Sequence, residues 1–241
     1  MSTYVLVHGA WHGSWCWKRV RAALQSRGHE VFTPTLTGVG ERSHLLAKEV
    51  DLETHVNDVA NLIRWEELRN VILCGHSYAG CVVSAVADRM PDRIAALVFL
   101  DAFLPDHGQS LHDTLPPEVR NAQIESARLS REGWTVPPIT GEIFNVNLKD
   151  RAWMDRQCTA QSLATFQQPL RLTGPISGIK NVTYILADGW APSPFPQFYA
   201  KAKARGWKTL TVHCGHDVML DMPEALTDAL LACNHSAAPA V

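Results

Sequence analysis

The sequence reads as an α/β fold with a mostly parallel central sheet flanked by helices, and three observations carry that expectation. Short apolar runs of strand length alternate with segments of helical spacing along most of the chain, which is how a parallel sheet with helical crossovers is written. One run, residues 94–100 (I-A-A-L-V-F-L), is apolar throughout, as a strand in the middle of a covered sheet must be. Another, residues 71–76, feeds straight into G-H-S-Y-A-G at 75–80 and then into a helical pattern. Strand, sharp turn and helix in that order force the central residue into a strained conformation and lift its hydroxyl clear of the sheet edge.

Taken in order, residues 4–7 form a first strand that runs into the glycine-containing loop H-G-A-W-H-G at 8–13. Residues 14–27 place Trp17, Val20 and Leu24 at helical spacing, and Gly28 closes that helix. A strand follows at 29–35. The loop L-T-G-V-G-E-R at 36–42 lacks the Lys-Ser or third spaced glycine of a phosphate cradle, so it reads as a surface loop near the site. Residues 51–64 align Leu52, Val56, Val59 and Ile63 on one helical face, with Asp51 placed to cap it. After the serine strand, its helix stops before Met90-Pro91, and 94–100 follows.

Between 103 and 177 the character changes. Prolines stand at 105, 116, 117, 137, 138, 169 and 175, and no clear strand is visible. This segment is expected to be a small helical cap inserted after the sixth strand, the core being 1–102 plus 178–241. Trp134, Phe144, Trp153, Met154 and Phe166 would divide between cap packing and pocket lining. The sheet resumes at 181–187 and 209–213, and a last helix at 223–232 carries Leu226 and Leu230 inward after a proline in its first turn. Residues 236–241 look frayed.

Composition sets the outer limits. At 241 residues, 46% hydrophobic and 19% charged, the chain can bury a substantial core. A formal charge of −2 without any basic stripe gives no reason to expect nucleic acid or an anionic membrane as a partner. Met1-Ser2-Thr3 leads into the first strand without a charged n-region or apolar h-region, and no run approaches spanning length, so cytoplasmic residence is the expectation. Cys16, Cys74, Cys81, Cys158, Cys214 and Cys233 lack metal-ligand spacing and read as reduced thiols with packing roles.

Three stretches carry chemistry. Ser77 occupies the turn of a nucleophile, in G-x-S-x-A followed by Gly; Gly75 and Ala79 leave room for strand and helix to approach. The loop after the first strand can lend a backbone N–H to an oxyanion hole. After the last strand comes C-G-H-D, which puts His216, one of eleven histidines, where a general base belongs.

Taken together, V-L-V-H-G-A-W-H-G-S-W-C-W, G-H-S-Y-A-G, F-L-D-A-F-L-P and C-G-H-D-V-M-L resemble the α/β-hydrolase superfamily, specifically the branch of plant methylesterases and hydroxynitrile lyases. Bacterial pyrethroid-type and carbendazim-type hydrolases are more similar still. The likeness runs from about residue 4 to residue 231 and is weakest over the cap. It implies Ser77 as nucleophile, His216 as general base, and the N–H groups of Ala10 and Tyr78 as the oxyanion hole. It also implies that neither a metal nor an organic cofactor is needed.

Two aspartates compete for the triad acid. The resemblance places Trp190 where methylesterases carry their acid, with Asp188 two residues early. Asp101 closes the apolar strand 94–100, where some hydrolases with a dehalogenase-like arrangement carry theirs, and an aspartate there is costly without a partner. Asp101 is therefore preferred and Asp188 kept as the alternative, while Asp217 is expected to be structural. The expected reaction is cleavage of a small hydrophobic or aromatic carboxylic or carbamic ester through an acyl-enzyme, in a pocket to which Trp11, Trp134, Trp153 and Trp190 contribute; Trp15 and Phe195 are also within reach. Three alternatives stay open: an amidase or carbamate hydrolase with the same triad, a hydroxynitrile lyase, and a receptor-like protein that binds without turnover. Against the lyase, those enzymes resemble one another in a lysine directly after the catalytic histidine, where this chain has Asp217. Oligomeric state is not legible.

Overall fold

The computed structural model describes residues 1–174 and 176–233. Its first strand, β1 (Thr3–Val7), is followed by a tight 3-10 turn over Ser14–Trp17 and then α1 (Lys18–Ser26). The expected 14–27 helix is thus split, because Cys16 and Trp17 are sequence neighbours that both point into the core, which a tighter turn accommodates. Strand β2 (Glu30–Phe32) is shorter than the 29–35 run: only three residues pair with β1, and the chain then diverges so that the Thr35 hydroxyl accepts from Ser14 N–H at 2.8 Å. Helix α2 (Leu52–Trp65) buries Leu52, Val56, Val59 and Ile63, and Asp51 caps it with a reciprocal Asp51–Thr54 box.

Strand β3 (Val71–His76), α3 (Ala79–Arg89) and β4 (Ile94–Leu100) form the centre of the molecule. Gly75 and Gly80 allow this packing. A Cβ at Gly75 would sit 2.7 Å from Ala79 O, and one at Gly80 would sit 2.0 Å from Phe103 O.

The 103–177 segment contains α4 (Pro117–Leu129), β5 (Thr135–Val136), α5 (Leu148–Gln157), β6 (Gln161–Ser162) and the short α6 (Ala164–Gln167). Two corrections follow. A small antiparallel ladder, Thr135 opposite Ser162 and Val136 opposite Gln161, exists where no strand was legible, since two-residue strands show no alternation to read. The segment also leaves the main sheet after its fourth strand, not a sixth, because this sheet has six strands and two of them come later.

Those two are β7 (Val182–Ala187) and β8 (Lys208–Val212), linked by α7 (Pro196–Ala204) and followed by α8 (Val218–Asp221) and α9 (Pro223–Ala232). The order β2-β1-β3-β4-β7-β8 is parallel throughout. A parallel sheet gathers every strand-exit loop at one edge, so residues 8–13, 77–78, 101, 188–190 and 213–217 converge there. Among the described residues no helix is long and apolar enough to cross a membrane. The expectation for 236–241 lies outside the described residues.

Candidate active site

Ser77 sits at the tip of the β3–α3 turn with φ 54°, a left-handed conformation that a serine holds only when its surroundings over-determine it. Three backbone bonds do so: Ser77 N–H donates to Leu100 O (3.1 Å), and Ser77 O accepts from Gly80 N–H and Phe103 N–H (3.0 Å each). Asp101, with φ 40°, and Trp11, with φ 65°, are strained in the same way. Gly9 is needed beside them, since a Cβ there would lie 2.8 Å from His76 Nδ1 and 2.9 Å from Ser77 Cβ.

His216 is 2% exposed and is held from four sides. Its ring stacks on Phe195 (4.9 Å, 8°) and meets Phe144 at 4.9 Å and Trp190 at 5.0 Å. Its N–H donates to Phe144 O at 2.9 Å, and its Nδ1 lies 2.7 Å from Asp101 Oδ2. Burial pushes the imidazole down to about 4, against the pull of the Asp217 carboxylate, so the ring is neutral near pH 7. With Nδ1–H donated to Asp101, the Nε2 lone pair is free to take a proton.

Burial pushes the Asp101 carboxyl upward, opposed by hydrogen bonds from Ala187 N–H and Trp190 Nε1–H, both 3.1 Å. Both of those groups can only donate, so the surroundings fit a carboxylate. A buried anion of raised proton affinity is suited to stabilise an imidazolium forming beside it. Asp188, the other candidate acid, is instead 3.0 Å from Nδ1 of the exposed His213. The structure therefore brings Asp101, and not Asp188, to His216.

The N–H groups of Ala10 and Tyr78 donate to no protein group among the described residues. Both residues line one cavity of about 500 Å³ together with Ser77 and His216. The Tyr78 side chain turns away: its hydroxyl donates to Nδ1 of His55 (2.8 Å), whose Nε2–H donates to Thr37 O (2.8 Å). The Ser77 hydroxyl has no hydrogen-bond partner among the described residues. Trp11 is fixed by the small ladder, its N–H donating to Gln161 Oε1 and its indole to Val136 O, both 3.0 Å.

Trp11 and Trp190 line the cavity, as do Phe144, Phe166 and Phe195. Trp134 and Trp153 do not, a correction to the expected lining. Trp134 accepts Leu163 N–H through its carbonyl beside the ladder, and Trp153 packs edge-on against Trp15, itself outside the cavity and stacked on His12. Residues 103–177 also supply Leu111, Leu115, Val119, Ile139 and Ile143, with Gln123, to its lining. Among the described residues no Asp, Glu, Lys or Arg lines this cavity.

Parallel sheet, strained nucleophile turn and histidine after the last strand define a hydrolase scaffold, and a family model described as "Alpha/beta hydrolase family" matches residues 4–229. The chain belongs to that family and is an enzyme of the hydrolase class. It is 49% identical over 240 residues, 96% of this chain and 99% of the other, to the carbendazim hydrolyzing esterase of Nocardioides sp. (strain SG-4G). It is also 32% identical over 142 residues, 54% of this chain and 48% of the other, to methylesterase 2 of Arabidopsis thaliana. Among solved structures, an extracellular α/β-hydrolase from a Paenibacillus species superposes with TM-score 0.85 at 23% identity, covering 98% of this chain and 100% of that one. The pyrethroid hydrolase of Sphingobium faniae JZ-2 does so with TM-score 0.76 at 25% identity, covering 98% of each chain.

Proposed function

We propose that this chain is a carboxylesterase-type serine hydrolase that cleaves small, uncharged, hydrophobic or aromatic carboxylic or carbamic esters by two-step acyl transfer. One observation carries the reading. A serine, a neutral buried histidine with its carboxylate partner, and two unpaired backbone N–H groups converge on a single cavity free of charged side chains. The 49% identity to a carbendazim-hydrolysing esterase over nearly the whole of both chains supports it.

In the proposed reaction His216 Nε2 removes the proton of Ser77 as Oγ attacks the carbonyl carbon. The carbonyl oxygen becomes an oxyanion held by Ala10 N–H and Tyr78 N–H. The new imidazolium, steadied by Asp101, passes its proton to the departing alkoxide, and water repeats the sequence on the acyl-enzyme to regenerate Ser77. The apolar wall would hold the acyl or alcohol group and exclude bulk water, with residues 103–177 serving as the cap.

The test is hydrolysis of p-nitrophenyl esters of graded acyl length by wild type and Ser77→Ala. Turnover in wild type and a loss of roughly a million-fold in the variant are expected. Comparable rates in a well-folded Ser77→Ala would refute the reading.

A further inference from the structure

Asp217, next in sequence to His216, does not face the cavity. It is 0% exposed and sits in a cluster of titratable side chains, of which His12, His76 and Cys16 are buried and Cys158 is half-buried. Both of its oxygens lie 3.3 Å from Nε2 of His12, and Oδ1 is 3.8 Å from Nε2 of His76. The Asp217 charge in turn raises the Cys16 and Cys158 thiols, which stay neutral, and the Asp101 carboxyl across the site. His12, 1% exposed, has its other nitrogen 2.7 Å from Ala10 O, a group that can only accept. Nδ1 of His12 must therefore carry a proton. A carboxylate shut away from water with no partner proton is several kcal/mol unfavourable, so Nε2 must carry one as well.

The positions of these residues are informative. His12 is two residues after Ala10, His76 is one before Ser77, and Asp217 is one after His216. His76 completes the junction by donating Nε2–H to His216 O at 3.1 Å, with its ring 4.4 Å from that of His216. The oxyanion loop, the nucleophile turn and the base loop thus meet behind the site.

We propose that His12 and Asp217 form a buried imidazolium–carboxylate pair that, with His76, positions the oxyanion loop and the His216 loop against Ser77. His12 and Asp217 are positioning residues and touch no substrate. The role in turnover rests on the esterase reading above; the proton on His12 does not. Burial opposes the pair, yet the Asp217 charge holds His12 above the ordinary imidazole value, and His12 in turn holds Asp217 below the carboxylate range. Asp217→Asn removes the charge but leaves an amide that can donate to a neutral His12.

Nitrogen NMR of the His12 ring and steady-state kinetics on a p-nitrophenyl ester test this together. In wild type both ring nitrogens should be protonated at neutral pH. In Asp217→Asn one should lose its proton at neutral pH, and kcat should fall by about a hundredfold with KM within about threefold, since misplacement touches the reacting geometry more than binding. Should Asp217→Asn fail to fold, the His12→Gln/Asp217→Asn double variant carries the same kinetic test. An unprotonated His12 nitrogen in wild type would overturn the ion pair, including the alternative in which Asp217 itself holds the proton. Unchanged kcat in a folded variant, while Ser77→Ala is inactive, would overturn the positioning role and leave the esterase reading intact. No ester turnover by wild type would remove that reading instead, and the ring nitrogens would still decide the pair.

Discussion

The two walls of the cavity are built by different physics. On the sheet side, Ala10, Ser77, Tyr78 and His216 come from loops at one edge of a parallel sheet, where backbone bonds hold the Ser77 turn and buried polar partners hold the His216 and Tyr78 side chains. From residues 103–177, Leu111, Leu115, Val119, Ile139 and Ile143 meet the same space with apolar surface, beside the polar Gln123, and Val119 and Ile143 are also open to solvent at 41% and 61%. The first wall is over-determined and the second is adaptable. Chemistry is therefore expected to depend on the first, and choice of substrate on the second.

Substitutions can break that division, and the largest effect belongs to Ser77→Ala, described above. Next comes Asp101→Asn, for which kcat should fall by about ten-thousandfold through loss of the correct His216 tautomer, while Asp188→Asn should be near neutral. An equal loss in both would mean that the acid had been assigned to the wrong strand. Gly9→Ala should lower kcat by about a hundredfold through displacement of His76 and Ser77, measured beside a thermal unfolding curve to separate misplacement from misfolding. Trp190→Phe keeps an aromatic wall but removes one donor from Asp101, so a fall of about tenfold in kcat is expected. Smallest of all, Ile143→Ala should change KM between short and long acyl chains by about threefold and leave kcat nearly untouched. A large kcat effect there would erase the distinction between the walls.

Acid sharpens the same contrast. In the proposed mechanism His216 must be neutral, and because burial lowers it to about 4, kcat/KM should hold as pH falls through 6.5 and decline only toward about 4. Stability runs on a different schedule. Below about pH 6.5 an unfolded chain protonates histidines that the folded chain keeps neutral, His216 near 4 and His8 near 3. The unfolded state then binds more protons, so stability falls as pH drops across that window. Asp217, depressed in the fold, withdraws its contribution at still lower pH, whereas the His12 contribution is lost only as pH rises through its elevated value. Chemical denaturation at several pH values alongside initial rates separates the two: stability should decline from about pH 6.5 downward, and kcat/KM of the folded enzyme only toward about 4.

Legibility in the sequence followed the same line between the walls. Strand periods, the α2 face with its Asp51 cap, and the tight G-x-S turn are local patterns, and they appear in the structure close to where they were read. Ser77, His216, Asp101, Ala10 and Tyr78 sit at strand exits, so topology alone brings them together. The wall from 103–177 has no such address. Trp11 and Trp190 stand on strand-exit loops, whereas Trp134 and Trp153, equally aromatic, lie in 103–177, whose path takes them away from the cavity. Gln161, which pins Trp11 from 150 residues away, gives no signal of its own. Asp217 was read as structural, but its contact with His12 was not legible, because a charge next to a candidate base says nothing about a histidine 205 residues earlier.

The most direct measurement is intact-protein and peptide mass spectrometry of wild type quenched during turnover of a slowly deacylating p-nitrophenyl ester. An acyl adduct on the peptide containing Ser77, absent from Ser77→Ala, is the expected result. Turnover with no adduct, or with the adduct on another residue, would contradict the assignment of the chemistry to Ser77 and His216.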